Sequence, residues 1–552
     1  MKDDKFYKGQ LIERGWTASL IDELLPEPKR VRNFNHYGYI LLWNKQDVLK
    51  AEESEKFKER YQKYITSKKK KEESKNKKIL KISENISINN PALDYPNARA
   101  INRHFVLNVG DTNTGKTYTA LKALKESNKG VYLAPLRLLA LEIQESLNNE
   151  GYPCNLLTGE EENVVDNAKY ISSTVEKINL EDIYDVGIID ECQMIEDEFR
   201  GGGWTKAILG LCAKTIYLCM SENAIDITIN LIKLCGDTYE INRYERDIPL
   251  KIQNKKIKIN EFESGDAIIV FSRKKVLEYA SEFEKMGYNC SIIYGALPYN
   301  SRRYQMEQYR NGKNNILIST DAIGMGLNLP IKRVIFGATS KFDGIDIRLL
   351  SNQEIKQIGG RAGRKGIYNE GVVAVLNSDY ANLEHVKRSL SSKLESIFMA
   401  KIPFPESCIK EDMKISESIK LWREIKYPNM FVHENTDDLL DKIKYLEKQY
   451  PGLEKRIMFK IATVMFDMKN QEIYNIWCRF TRSWINDKDI TIPILKYHTL
   501  DSLEEHYKIL DLYYSFCKNL NIVFDEDLLY WEKEKIFEEI NALLTSKKRK
   551  SK

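Results

Sequence analysis

Short runs of apolar and β-branched residues recur through the middle of this 552-residue chain, at 105–109, 131–134, 169–173, 186–189 and 215–219, and again at 267–271, 291–294, 315–319, 333–336 and 372–376. Each run has the length of a buried strand, and the segments between them carry apolar residues at helical spacing. Strand alternating with helix predicts parallel sheets, and two such series predict two α/β domains in tandem, placed at 91–245 and 246–400. From 401 to 552 the pattern is helical, rich in aromatics and nearly free of strand signal, which predicts a helical C-terminal domain ending in the basic tail Lys547–Lys552. No repeat of 20–50 residues interrupts this order.

Ahead of the first series the pattern differs. Residues 8–25 read as two short helices broken at Arg14-Gly15-Trp16, with Thr17 as an N-cap and Leu20, Ile21, Leu24 and Leu25 as an apolar face. A basic loop (Lys29, Arg30, Arg32), a strand-like run from Tyr37 to Trp43 and a charged helix from about Gln46 follow. This order resembles small winged-helix modules and sets residues 1–50 apart as an accessory unit, either binding nucleic acid or a partner or simply packing. Residues 51–90 are mostly charged and polar, with Lys68 to Lys71 unbroken, and read as a helical or disordered linker.

Composition narrows this little. Hydrophobic residues make up 42% and aromatics 10%, and 85 basic against 80 acidic side chains leave a net charge of +5, too small to announce nucleic acid by charge alone. Nine cysteines form no C-x-x-C pair, which argues against zinc and a disulfide framework and for a reducing compartment. The N-terminal residues carry acids early and no apolar core, and no run reaches the eighteen or so apolar residues of a membrane span. The expectation is a cytoplasmic protein without a membrane partner.

The chemistry concentrates in three places. Gly110-Asp-Thr-Asn-Thr-Gly-Lys-Thr117 fits G-x-x-x-x-G-K-S/T between a strand and a helix, where backbone N–H groups converge on phosphates. In it Gly110, Thr112, Asn113, Thr114, Gly115, Lys116 and Thr117 are the expected ATP-binding residues, with Lys116 on the β and γ phosphates and the Thr117 hydroxyl on Mg²⁺. Hydrolysis also needs a metal-holding acid and a base that polarises water, and Asp190 and Glu191 follow a buried run at once; alone the pair could be a plain turn. In the second series Gln357-Ile-Gly-Gly-Arg-Ala-Gly-Arg364 offers Gln357, Arg361 and Arg364 as catalytic groups from the opposite side of a cleft, the arginines as fingers that stabilise developing charge.

These segments, with STDAIGMGLNLP (319–330), resemble motifs I, II, V and VI of superfamily 2 helicases. LAPLRLLALEI (133–143), TGEE (158–161), STVE (173–176), WTKAILGLC (204–212), FSRKK (271–275), IYGALP (293–298) and LEEHYKILDLYYSF (503–516) are similar, more narrowly, to the mitochondrial degradosome RNA helicase family and its bacterial relatives. The resemblance runs from about Tyr95 to about Leu544 and leaves 1–90 outside. It implies two RecA-like domains, ATP and Mg²⁺ as cofactors, and 3′-to-5′ translocation on single-stranded RNA with duplex unwinding. A DNA helicase, or an ATP-gated clamp whose first ninety residues or C-terminal domain recruit a ribonuclease, are the alternatives. It further implies that Gly326 of motif V senses ATP, and that Arg137, Thr158, Thr174, Ser272, Arg273 and Thr320 form a phosphodiester track; singly, each hydroxyl could as well be a cap or turn residue. Ser221 is a candidate for coupling hydrolysis to strand movement, or a helix cap, and FGATSKFDG (336–344) for a small strand-separating hairpin, with Phe342 either exposed or packed.

Two departures from the family stand out. Asp111 occupies the usual proline position, so weaker ATP affinity is expected from an acid near the phosphates, and Cys192 replaces an aliphatic residue. The adenine contacts fall by elimination near Tyr95–Arg103, and the source, on the missing transit signal, in a bacterial or phage cytosol.

Overall fold

The computed structural model describes all residues except 1–3, 33–38, 325–328, 345, 365, 495–498 and 546–552. The chain divides into two compact units, 1–85 with 420–425, and 86–419 with 426–552.

The first unit opens with β1 (Lys5–Tyr7), α1 (Lys8–Glu13), α2 (Ala18–Leu24), β2 (Lys29–Arg32), β3 (Tyr39–Asn44), α3 (Lys45–Glu53) and α4 (Glu55–Ser83). Its three strands form an antiparallel sheet in the order β1-β3-β2, so β2 and β1 are edges. The predicted break between the first two helices is present, and the Thr17 hydroxyl accepts from Leu20 N at 3.3 Å. Leu11, Trp16, Leu20, Ile21, Trp43, Val48 and Phe57 make a small core. Glu52 of α3 clamps it, accepting from Arg14 Nε and Trp16 Nε1, both at 2.9 Å. The charged stretch after Ser54 is one 29-residue helix, capped by the Ser54 hydroxyl on Phe57 N.

In the second unit, after the short α5 (Pro96–Arg99), come β4 (His104–Gly110), α6 (Lys116–Glu126), β5 (Gly130–Ala134), α7 (Arg137–Asn149), β6 (Cys154–Leu157), β7 (Glu162–Asn163), β8 (Tyr170–Thr174), β9 (Tyr184–Ile189), α8 (Gly201–Gly210), β10 (Ala213–Met220), α9 (Ile225–Cys235) and β11 (Thr238–Tyr244). They form an eight-stranded sheet in the order β11-β4-β10-β9-β5-β8-β6-β7, parallel except for β7. The strand after β4 in sequence lies beyond β10 and β9, so the order reverses beside β4 and opens a crevice at the carboxyl ends of the strands. Val109 pairs with Met220 and Ile189 with Leu218, which brings Gly110, Ser221 and Asp190 out along one edge.

The next elements are β12 (Leu250–Ile252), β13 (Asp266–Ile269), α10 (Arg273–Lys285), β14 (Cys290–Ile293), α11 (Tyr299–Arg310), β15 (Ile316–Ser319), β16 (Arg333–Phe336), β17 (Ser340–Phe342), β18 (Ile347–Leu349), α12 (Asn352–Gly359), β19 (Gly371–Val375) and α13 (Leu383–Ser391). Six of these strands form a second, all-parallel sheet, β12-β19-β16-β13-β15-β14, and β17 and β18 pair as a separate hairpin. Both sheets read as continuous apolar runs, for example the buried stretches Phe105–Leu107 and Ile316–Ile318, as two-faced burial under helices requires. Two tandem RecA-like sheets are therefore the α/β fold expected. The rest is mainly helical, with α14 (Ile415–Trp422), α15 (Asp437–Gln449), α16 (Lys455–Ala462), α17 (Gln471–Ile485), α18 (Leu500–Asn519) and α19 (Glu526–Leu544); two three-residue strands, Ala400–Ile402 and Phe431–His433, pair there against expectation. Trp422 and Trp477 are core residues, whereas Trp531 is exposed beneath Lys535.

Candidate active site

β4 drives the chain through the middle of the first sheet, and the loop that follows must turn back within a few residues. Gly110 is there because a Cβ would meet the Tyr244 carbonyl oxygen at 2.3 Å. Asn113 (φ 63°) and Gly115 (φ 87°) take the left-handed conformation that makes the turn, and Gly115 is the N-cap of α6. Its unpaired N–H groups thus point into the crevice, the usual basis of phosphate binding. Lys116 Nζ donates to the carbonyls of Gly110 and Asp111, both at 2.6 Å, and so lies over the loop.

Asp190 leaves β9 one strand beyond β10. The Thr117 hydroxyl donates to its two oxygens at 3.3 and 3.2 Å, Tyr132 OH donates at 2.8 Å and Glu191 N at 2.9 Å. Burial, with the neighbouring Glu191 charge added, pushes the Asp190 carboxyl up to about 6. Thr117 and Asp190 offer hydroxyl and carboxylate oxygens only, the donor set of a hard cation such as Mg²⁺. Glu191 has φ 51°, a strained position for a non-glycine residue. Its carboxylate accepts from the Gln193 amide, and the Gln193 carbonyl oxygen accepts from Ser221 N at 3.2 Å.

The other wall comes from the second sheet. Arg361, buried just after α12, donates to the Gly324 carbonyl from Nε (3.2 Å) and Nη2 (2.7 Å), and its Nη2 stands 4.0 Å from Glu191 Oε1. Burial lowers its pKa while the Glu191 and Asp190 charges oppose that shift. Asn113 Nδ2 reaches the Gly360 carbonyl at 3.0 Å, so the phosphate loop touches the arginine-bearing segment directly. The walls enclose a cleft of about 1150 Å³ lined by Gly110–Thr117, Asp190, Glu191, Gln357, Arg361 and Arg364 among others. All catalytic and phosphate-loop residues expected from the sequence therefore converge; Gly326 lies outside the described residues.

Sequence reasoning missed Arg246, on the connector between the two sheets. Its guanidinium donates to Ile248 O (2.7 Å), Thr112 O (3.3 Å) and Gly360 O (2.7 Å), and to Ala362 O, tying the phosphate loop to the arginine segment. Asp111 lies near enough to offset part of Arg246's burial penalty, which gives that acid a cationic neighbour. Nothing local marks Arg246, since its acceptors are backbone carbonyls distant in sequence.

Ser221 is not a side-chain cap: its hydroxyl donates to Asn223 Oδ1 at 2.6 Å, and Asn223 Nδ2 reaches Gln353 on α12 at 3.4 Å. Glu191, Gln193, Ser221, Asn223 and Gln353 thus form a hydrogen-bonded chain across the cleft. The β17–β18 hairpin is small, with Phe342 exposed rather than packed.

The six track residues follow strand ends, but their side chains are engaged within the protein. Arg137 pairs with Glu160 (2.6 Å), Glu161 (2.9 Å) and Asp511 (3.6 Å). Arg273 pairs with Asp501 and with Glu504 at 3.3 Å. The Thr158 hydroxyl donates to Glu161 O, Ser272 caps α10, Thr320 accepts from Ala322 N at 3.4 Å, and Thr174 is buried at the end of β8. The placement of adenine near Tyr95–Arg103 is not supported either. Arg99 and Arg103 are bound to Asp237 and to the Leu209, Leu211 and Cys235 carbonyls, and this segment does not line the cleft.

A phosphate loop and an Asp-Glu pair on one RecA-like sheet, faced by an arginine from a second, define a superfamily 2 helicase-type ATPase. Residues 91–244 match the model described as the DEXQ-box helicase domain of Suv3, and 250–366 the helicase conserved C-terminal domain. The Arabidopsis thaliana protein "DExH-box ATP-dependent RNA helicase DExH16, mitochondrial" is 34% identical over 443 residues, 76% of each chain. "ATP-dependent RNA helicase SUV3, mitochondrial" of Saccharomyces cerevisiae is 41% identical over 290 residues, 51% of this chain and 39% of the yeast protein. "ATP-dependent RNA helicase SUPV3L1, mitochondrial" of Danio rerio is 33% identical over 463 residues, covering 77% and 59%. The chain belongs to the Suv3 family of DEXQ-box helicases, although its match spans less than half the length of the yeast relative. The expected cytoplasmic location is contradicted: these relatives are all named mitochondrial. Among the described residues no helix is long and apolar enough to cross a membrane.

Proposed function

We propose that the protein is an ATP-dependent RNA helicase that moves 3′-to-5′ on single-stranded RNA and opens duplexes. The observation that carries this is the Arg361 guanidinium, brought from the second sheet to 4.0 Å from Glu191 beside the phosphate loop of the first. Hydrolysis then requires both walls, and loss of the γ-phosphate removes a reason for them to stay together, which turns chemistry into domain movement. The names of the relatives, all RNA helicases, supply the substrate.

In this reading the α6 N-terminus and Lys116 bind the β and γ phosphates. Thr117 and Asp190 hold Mg²⁺, which when bound supplies charge neutralisation at the phosphates. Glu191 accepts the proton of the attacking water, held in place by Gln193. Arg361, with Arg364 and Gln357 beside it, meets the charge that develops on the γ-phosphoryl group. The Glu191–Gln193–Ser221–Asn223–Gln353 chain would report the state of the base to α12, and Phe342 on its hairpin would part the strands. RNA turnover is the process such a motor would serve.

Strand displacement on RNA duplexes with 3′ or 5′ overhangs tests the reading. ATP-dependent opening of the 3′-tailed duplex is expected; ATP turnover stimulated by RNA with no duplex opened would overturn it.

A further inference from the structure

Charge is unevenly divided along the chain. Residues 1–85 hold 21 basic and 14 acidic side chains, a net +7 against +5 for the whole protein, so everything after them is slightly acidic. All of this excess sits on α4, which carries 12 basic and 4 acidic side chains. Its first turns are rooted in the small core: Phe57 lies 4.5 Å from the Trp16 ring and 5.6 Å from Tyr61, and Lys56 and Arg60 pair with Glu23 of α2. Beyond that root, residues 66–78 are exposed on every face and contain seven lysines and two glutamates within about 20 Å of helix.

One face of α4 is continuous. Phe57, Tyr61, Tyr64, Lys68, Lys71, Lys75 and Lys78 follow one another at spacings of four and three, so an aromatic seam becomes a row of lysines along the helix. Lys75 is held by Glu424, but among the described residues no carboxylate pairs with Lys68, Lys69, Lys70 or Lys71. Like charges at these spacings repel one another, and a helix polar all round needs outside partners to be worth forming. A polyanion laid along the row would supply them, and a ring such as that of half-buried Tyr64 at its root could stack a base.

We propose that α4 is an RNA-binding arm, in which Lys68–Lys71 grip the phosphate backbone of single-stranded RNA without reading its sequence and independently of ATP. The inference takes RNA as substrate from the function proposed above. It places an RNA contact outside the segments matched to helicase models, which begin at residue 91.

The test is binding of the full chain to a fluorescent oligouridine, without nucleotide, between 50 and 200 mM salt. Replacing the four lysines together (K68Q/K69Q/K70Q/K71Q) keeps good helix formers in place. Affinity at 50 mM is expected to fall about tenfold or more, and the slope of log K against log salt to become shallower by about 3, from roughly 0.7 per phosphate released. The quadruple Lys→Arg variant should keep the wild-type slope, and hydrolysis without RNA should be unchanged in both. An unaltered affinity and slope in the glutamine variant would overturn the proposal and leave the lysines as a solvated or protein-binding face. The failure of the helicase reading would look different: no RNA duplex opened by the wild-type protein, with the salt slope intact.

Discussion

The ATP cleft and the strand ends beyond it are built from the same kinds of residue, arginines, acids and hydroxyls, yet they are wired differently. In the cleft the contacts run between the two sheets: Arg361 towards Glu191, Asn113 and Arg246 to Gly360, Asn223 to Gln353. At the strand ends they close within or beneath the C-terminal helices, as Arg137 with Asp511 and Arg273 with Glu504. Side chains in the cleft therefore bridge the two sheets around a cavity, while those of the expected track are mostly paired within the fold. A motif residue can be a site residue or a clamp, and only its partners tell which.

The sharpest break of that contrast is in the cleft. Glu191→Gln and Arg361→Ala are each expected to lower RNA-stimulated ATP turnover by about 10³-fold while ATP binding persists, read by steady-state hydrolysis and fluorescent-nucleotide titration. Arg246→Ala, which only positions the two walls, should cost about tenfold in turnover, since misalignment rather than chemistry is lost. On the other side of the contrast, Arg137→Met should act on stability. It leaves Glu160 and Glu161 without their cation, while Asp511 keeps Lys533 at 2.6 Å, and is expected to destabilise by about 2–3 kcal/mol in thermal or urea unfolding. Reduced RNA affinity with unchanged stability would instead place Arg137 on the track.

Much of this was legible beforehand, and the limits have physical reasons. The P-loop, the Asp190–Glu191 pair and the Arg361 segment could be found because their chemistry needs neighbours in sequence, and the strand runs because burial on both faces demands continuous apolar residues. In the first large sheet and at the edge of the second, β6, β7, β11 and β12 escaped notice, as did β1 and β2 of the first unit, where Lys29, Arg30 and Arg32 read as a basic loop: β1, β7 and β12 are two or three residues long, and β2 and β11 lie at edges where polar residues are tolerated. Arg246 escaped because backbone carbonyls leave no trace in sequence. The pairing of Arg137 with Glu160 and Glu161 of the TGEE segment, and with Asp511 from a helix near the other end of the chain, is a tertiary contact that the sequence does not announce.

A smaller effect concerns pH. Burial, with Asp197 and Glu176 nearby, raises the Glu434 carboxyl to about 7, opposed by the Gly202 N–H it accepts at 3.0 Å and by Lys401. Between about pH 4.5 and 7 the folded chain keeps a proton that the unfolded chain has released, so this group's contribution to stability declines as pH rises through that window and is flat above it. Glu434→Gln, which keeps an acceptor for Gly202, should remove that decline and raise the melting temperature modestly at pH 8. An unchanged pH profile would remove Glu434 from the account. Smaller still, Asp111→Pro should tighten ATP binding by no more than a few fold, because Arg246 already stands near the acid.

The central claim is that one wall from each sheet acts on the same transition state. The double variant Glu191→Gln/Arg361→Ala tests it directly, by RNA-stimulated turnover compared with the two single variants. Groups that work as a unit should give a double variant about as slow as the slower single one; a loss equal to the product of the two would mean that Glu191 and Arg361 act separately, and would contradict the two-walled site.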